Sequence, residues 1–201
     1  MNILEPKQLI ESVGFYGGHL VVWTIIFAES GLLVGFFLPG DSLLFTAGFL
    51  ASQGYLNIFA LIVGCFIFAV LGDNVGYATG KRFGPKLFSK EDSWFFNKKN
   101  IIKAQTFYDK HGKRTIILAR FLPVVRTFAP IVAGIGNMEY ATFFKFNLIG
   151  GFVWTFGLSM LGFILGKSIP NVDKYLPLIT VAIVIISIIP SLLHLLAERK
   201  K

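Results

Sequence analysis

Apolar positions run through this chain in long blocks, broken at a few charged points. No charge falls within Ser42–Gly72, Phe146–Gly166 or Tyr175–Ala197, runs of 31, 21 and 23 residues. About 20 residues of α-helix cross the hydrocarbon of a bilayer, so each run is long enough to span one. Phe146–Gly166 and Tyr175–Ala197 read as two crossings joined by Lys167–Lys174. At the N-terminus, Ile3, Leu4, Leu9, Ile10 and Val13 share a face, which predicts a short interfacial helix over residues 1–13. Glu5, Lys7 and Glu11 in that stretch argue against a cleaved signal peptide. Thr115–Met138 has a different texture: Arg120, Pro123, Arg126 and Pro130 interrupt it, making it too polar and too broken for a simple span.

Composition agrees with the pattern. Of 201 residues, 54% are hydrophobic and only 15% charged, with 22 Phe and a mean hydropathy of +0.68. An average soluble domain is about 25% charged, so a soluble globular fold and a disordered chain are both excluded as readings. The single Cys65 forbids an internal disulfide framework.

The net charge of +8 changes the picture only once it is located. Lys81 to Arg114 holds ten basic and three acidic residues and so carries seven of the eight net positive charges. Positive-inside placement puts this loop and the Arg199–Lys201 tail on the cytoplasmic side. Ile101, Ala104, Phe107 and Tyr108 give the loop an amphipathic character suited to anionic headgroups. No stacking or groove-reading motif accompanies the charge, so nucleic acid is not an expected partner.

With both ends of Thr115–Lys201 on one side and two crossings between them, Thr115–Met138 must enter and leave the membrane on the same face. A re-entrant helix hairpin does that, because irregular backbone at depth is tolerated when it is buried in protein or lines a cavity. A matching segment lies in the first half. Phe37-Leu38-Pro39 recurs as Phe121-Leu122-Pro123, and Gly64, Phe66, Gly76, Gly80 and Lys81 recur as Gly150, Phe152, Gly162, Gly166 and Lys167. Lys81 falls inside and Lys167 outside, so the two repeats have inverted topology, as in many secondary transporters.

The expected fold is therefore an all-α polytopic membrane protein forming a single membrane domain over 1–201. It comprises the interfacial helix (1–13), a first repeat (14–80) with a re-entrant hairpin at about 29–52, and the basic cytoplasmic loop (81–114). A second repeat (115–167) with a hairpin at about 115–138 and a C-terminal transmembrane helix (175–197) complete it. Pro39, Gly40, Pro123 and Pro130 shape the hairpins, while Gly31, Gly35, Gly40, Gly48, Gly134 and Gly136 permit close backbone approach and tight turns, with simple helix packing as the alternative for any one of them.

Ionisable groups at membrane depth cost about 2.5–3.5 kcal/mol each on insertion scales, so they are expected in pairs or lining a polar cavity. The first hairpin carries Glu29 and Asp41, the second Arg120 and Arg126. A pseudo-two-fold relation would bring Asp41 to Arg126. One alternative is an ion pair that only joins two hairpins. Two arginine forks beside broken helix ends suit a phosphate better, and the two carboxylates offer proton-binding groups. Asp73 reads as a helix-end residue near the interface in preference to a third functional acid.

Glu29-Ser-Gly, the hairpin ending Phe37-Leu-Pro-Gly-Asp41, and Gly72-Asp73 with Gly76-Tyr77 and Gly80 carry a resemblance, together with Phe107 and His111-Gly112. Arg120-Phe-Leu-Pro-Val-Val-Arg126 followed by Ala133-Gly134 extends it, and from about Val13 to Lys167 the chain resembles the DedA family, bacterial relatives of the VTT (SNARE-associated Golgi) scramblases. The resemblance implies an inner-membrane protein with two opposed re-entrant hairpins. It implies movement of phospholipids or undecaprenyl phosphate between leaflets, dependent on the proton gradient in some members. Glu29 and Asp41 would be its acidic pair, Arg120 and Arg126 its essential arginines.

Other classes have less support. His19, His111 and His194 form no phosphatase pattern with Ser and Arg, and no Asp-x3-Asp pair offers a metal site, so no enzyme, metal or cofactor is expected. A proton-coupled transporter of small ions or drugs could use the same acids and is the main alternative; a scaffold would not need these charges at depth. Membrane lipids, an anionic phosphate-bearing lipid substrate and protons are the expected partners. Lipid identity, coupling ion, direction and self-association as a homo-oligomer stay open.

Overall fold

The computed structural model describes residues 6–32, 40–89, 106 and 112–168. The expected C-terminal crossing (175–197), Pro39 and most of the basic loop lie outside these residues. Among the described residues the elements are α1 (Pro6–Gly31), α2 (Gly40–Ser52), α3 (Ile58–Ser89), α4 (Thr115–Leu118), α5 (Pro123–Ile135) and α6 (Tyr140–Ser168), with 3-10 turns at Gly112–Arg114 and Ala119–Phe121. No strand occurs among them.

Several boundaries differ from expectation. The N-terminal helix does not end at Val13 but continues through Gly14, Gly17 and Gly18 to Gly31. Likewise α3 passes through Gly80 and Lys81 to Ser89. In Thr115–Met138 the helix is lost at Leu122, whose extended backbone (φ −120°, ψ 105°) is the conformation that a following proline imposes. Pro123 then opens α5, where its missing N–H costs nothing, and the helix carries on through Arg126 and Pro130.

Helices α2 and α5 are alike in length, 13 residues each, and in how they stop. After α2, Gly54 takes φ 84° and Tyr55 N–H returns to the Leu50 carbonyl at 3.1 Å. After α5, Asn137 takes φ 52° and Met138 N–H returns to the Ala133 carbonyl at 3.0 Å. Both are left-handed C-terminal turns that satisfy otherwise orphaned carbonyls, and Asn is the commonest substitute for Gly there.

Helices α3 and α6 are apolar on both sides. Along α3, Leu61, Cys65, Ala69, Gly72, Gly76 and Gly80 are buried, while Phe59, Val63, Ile67, Leu71 and Val75 are exposed at four-residue spacing. A helix with an apolar outer face belongs in lipid rather than water. Ile58–Phe83 and Tyr140–Ser168 are both long and apolar enough to cross a membrane.

The chain divides into two compact units. The first takes Met1–Trp23, Pro39–Gly64 and Phe156–Lys201; the second takes Thr24–Leu38 and Cys65–Thr155. In the first unit, α2 and α6 meet at a reciprocal contact: a Cβ on Gly48 would strike the Ser159 carbonyl oxygen, and one on Gly162 the Phe45 carbonyl oxygen. Gln53 donates from Nε2 to the Gly166 carbonyl at 2.9 Å beside this crossing. Elsewhere in the unit, the Trp23 indole fills the space that a side chain at Gly64 would need.

The second unit has the same reciprocal contact between α3 and α5. A Cβ on Gly80 would strike the Ile131 carbonyl oxygen, and one on Gly134 the Tyr77 carbonyl oxygen. The end of α1 packs on α3 equally closely, with an added Cβ on Gly31 only 2.8 Å from the Cα of Gly72. Buried Tyr77, Ile116, Ala133 and Phe143 form a core here, with Tyr77 and Phe143 stacked at 4.5 Å between centroids. These close approaches fix where the charged side chains of α1, α3 and α5 can go.

Candidate functional site

Four ionisable side chains are buried together in the second unit's chemistry. The Gly31–Gly72 contact lays the end of α1 on α3 beside Asp73, and brings Glu29, fully buried, into this unit. The break at Leu122 leaves Arg120 on a 3-10 turn before it and Arg126 one turn into α5 after it. Arg126 is ion-paired with Glu29. Arg120 is ion-paired with Asp73, its Nη2 donating to Oδ2 at 2.5 Å. The side chains are at most 9% exposed in both pairs, so the two positive and two negative charges balance out of water.

Helix α6 supplies the surroundings. Arg120 Nη2 also donates to Asn147 Oδ1 at 2.5 Å, and Asn147 Nδ2 donates to the Val70 carbonyl at 3.2 Å. Gly150 and Gly151 leave the room that Arg120 occupies; a Cβ on Gly150 would lie 3.1 Å from Arg120 Cδ. Trp154, 1% exposed, receives both guanidiniums near its ring, at 5.2 Å from Arg126 and 5.8 Å from Arg120. Such cation–π contacts gain strength when desolvated. The Arg120 Nε and the Thr127 hydroxyl are buried with no hydrogen-bond partner among the described residues. Helix α5 begins there without a side-chain cap, so its positive dipole end adds to the two arginines.

This arrangement corrects two expectations. Asp73 is not a helix-end residue: it lies within α3, 4% exposed, as the counter-charge of Arg120. Glu29 is a carboxylate partner of Arg126. Asp41 sits in the first turn of α2 in the other unit, half-buried, after the buried Gly40. The expected break at Pro130 is absent. Pro130 is buried inside α5, where Gly76 of α3 packs on it, and it has no N–H to return to the Arg126 carbonyl.

Asn147 and Trp154 were not singled out from the sequence. Their signal was available: with Gly150 and Gly151 they lie at helical spacing on one face of an otherwise charge-free run. Among the described residues no three His, Cys, Asp or Glu converge as a metal site would require.

Comparison with known proteins gives a consistent picture. The VTT domain matches residues 38–164. The chain is 44% identical over 197 residues to Protein DedA of Escherichia coli K12, covering 96% of this chain and 90% of that protein. It is 43% identical over 192 residues to an uncharacterized membrane protein of Mycobacterium leprae, covering 94% and 86% respectively. It is 34% identical over 157 residues to the inner membrane protein YqjA of E. coli K12, covering 78% and 71%. No solved structure matches it. A VTT domain over most of the chain, and long alignments to DedA and YqjA, agree with two spanning-length apolar helices around buried ion pairs: the chain belongs to the DedA (VTT-domain) family of membrane proteins.

Proposed function

We propose that this protein is a lipid transporter of the flippase or scramblase type, moving a phosphate-bearing lipid between the leaflets of a bacterial cytoplasmic membrane. Undecaprenyl phosphate and glycerophospholipids are the substrates its charges suit. The observation that carries the reading is the pair of buried arginines sharing one tryptophan, each with its own carboxylate. A lipid phosphate crossing an apolar barrier needs counter-charge throughout. Arg126 and Arg120 hold it by charge-assisted hydrogen bonds at the uncapped start of α5 while the tail stays in lipid. Phosphate then competes with Glu29 and Asp73 for the guanidiniums. A displaced carboxylate takes up a proton rather than remain charged and unpaired, and this couples lipid movement to protons. Asp41 at the start of α2 is a further proton-binding group.

Two hairpins in inverted repeats give this site its alternating exposure. The matched 13-residue arms, their like C-terminal turns and the reciprocal glycine crossings support the repeat. The helix break at Leu122 supports a re-entrant second hairpin. Arg126→Ala reconstituted in liposomes tests the reading. With labelled undecaprenyl phosphate or phosphatidylglycerol, wild type is expected to exchange lipid between leaflets faster under a pH gradient, and the variant to lose exchange. Absence of exchange for every such lipid would sink it in favour of a proton-coupled carrier of small ions or drugs.

A further inference from the structure

We infer that the second unit holds a separate binding site for a phosphate-bearing anion, in a cavity about two turns along α3 from the buried ion pairs. The cavity has a volume of about 480 Å³ and is lined by Asn74, Tyr77, Ala78, Lys81, Arg82 and Tyr140. Lys81 and Arg82 are exposed at its rim, and no carboxylate is among the lining residues. Eight residues of helix separate Asp73 from Lys81, about 12 Å along the axis. The cavity is therefore distinct from the Arg120–Asp73 pair but on the same helix.

Its chemistry is that of a headgroup at a membrane surface. Two cations and no acid are among the lining residues, together with two tyrosines whose rings are 5.7 Å apart. The Tyr77 hydroxyl is committed to the Met138 carbonyl at 2.5 Å, and the Tyr140 hydroxyl to Asn74 Oδ1 at 2.9 Å, so the floor is held in shape by its own hydrogen bonds. Aromatic rings beneath basic side chains mark the level of lipid headgroups, and each juxtamembrane Lys or Arg strengthens attraction to anionic lipid. The positive-inside pattern places this end of α3 on the cytoplasmic face.

Hydrogen bonds connect this floor to the buried site. Tyr140 donates to Asn74, and Asn74 Nδ2 donates to the Val70 carbonyl at 2.7 Å. The same carbonyl accepts from Asn147, whose other end receives Arg120, the partner of Asp73. A headgroup resting between the tyrosines and the two cations lies at one end of a polar chain that ends on Arg120. The site is a waiting position for the anion outside the ion pairs. Reading that anion as the transported lipid rests on the function proposed above; the existence of the site does not.

Native mass spectrometry of the full chain in detergent tests it, with phosphatidylglycerol, phosphatidylcholine and inorganic phosphate as separate probes. Wild type is expected to retain phosphatidylglycerol over phosphatidylcholine. Lys81→Gln/Arg82→Gln is expected to weaken that retention by about tenfold or more, whereas Lys113→Gln/Arg114→Gln, an equal charge change at exposed residues outside the cavity, leaves it intact. Retention of inorganic phosphate in place of the lipid would assign the site to the free anion. Equal loss in both double variants, or none in Lys81→Gln/Arg82→Gln, overturns the site. Arg126→Ala separates this from the transport reading: it is expected to abolish leaflet exchange while the cavity still binds phosphatidylglycerol.

Discussion

The two units make the same helix crossing with different things beside it. In the first, Phe45 and Gly48 of α2 face Ser159 and Gly162 of α6; in the second, Ile131 and Gly134 of α5 face Tyr77 and Gly80 of α3. The sequence offset that relates Gly76 and Gly80 to Gly162 and Gly166 also carries Phe45 and Gly48 onto Ile131 and Gly134. On the long helices, however, contact falls at the first glycine of the pair in one unit and at the second in the other. The repeated glycines thus provide two seats one helical turn apart, and each unit occupies a different one. The surroundings differ as well. The glycine slot at Gly64 admits the indole of Trp23, whereas its counterpart at Gly150 admits Arg120. One backbone arrangement serves as packing in the first unit and as the wall of a charged site in the second.

The charged half offers the largest effect. Glu29→Ala strands Arg126 in a buried place and is expected to cost about 3–5 kcal/mol, read by thermal unfolding in detergent. Glu29→Leu with Arg126→Leu is expected to recover most of that loss while lipid exchange stays absent. A double variant as unstable as the single one would mean that the pair is there for structure. Next, Asn147→Leu removes one of two acceptors from the Arg120 guanidinium, at a cost of about 1.5–3 kcal/mol; a denaturant midpoint unmoved by it would show that Asp73 alone holds Arg120.

The glycine seats give a smaller and more discriminating test. A methyl at Gly80 or Gly162 meets a backbone carbonyl and should cost about 1–3 kcal/mol through overpacking. At Gly166 it meets the movable Ser52 hydroxyl, and at Gly76 the Pro130 ring 3.3 Å away, so Gly166→Ala and Gly76→Ala are expected to cost less. Melting temperatures that rank the first glycine as costlier in both halves would remove the one-turn difference between the units. The smallest effect is expected from Tyr140→Phe, which loses one exposed hydrogen bond to Asn74 and at most about 1 kcal/mol. Its value is as a baseline against which Asn147→Leu is judged.

Much of this was legible in the sequence because apolar runs and broken segments follow from bilayer thickness and from proline. Leu122-Pro123 marks its own break, and Glu29, Arg120 and Arg126 declare themselves by the rarity of charge in apolar stretches. Pairing was harder. The carboxylate of Glu29 reaches Arg126 through a glycine contact between α1 and α3, and such a contact depends on which glycines meet in three dimensions. Asp73 misleads for a related reason: beside Lys81 and Arg82 it looks like the end of a span, but α3 continues to Ser89 and carries it inside. Pro130 misleads in the opposite sense, since a buried proline backed by Gly76 is accommodated within α5. Asn147 and Trp154 carry no charge, so nothing in the arithmetic of ionisable groups draws attention to them.

The Arg120–Asp73 pair joins residues 47 positions apart, and the ribosome makes them in that order. At about 5–20 residues per second, Asp73 precedes its arginine by roughly 2–10 s. During that interval α3 must insert carrying an acid whose partner does not yet exist, at a cost of about 2.5–3.5 kcal/mol if it is charged in mid-membrane. The apolar length of α3 outweighs that cost, and arrival of Arg120 then relieves it. Nascent chains cut before Arg120 are the ones left holding an unanswered acid.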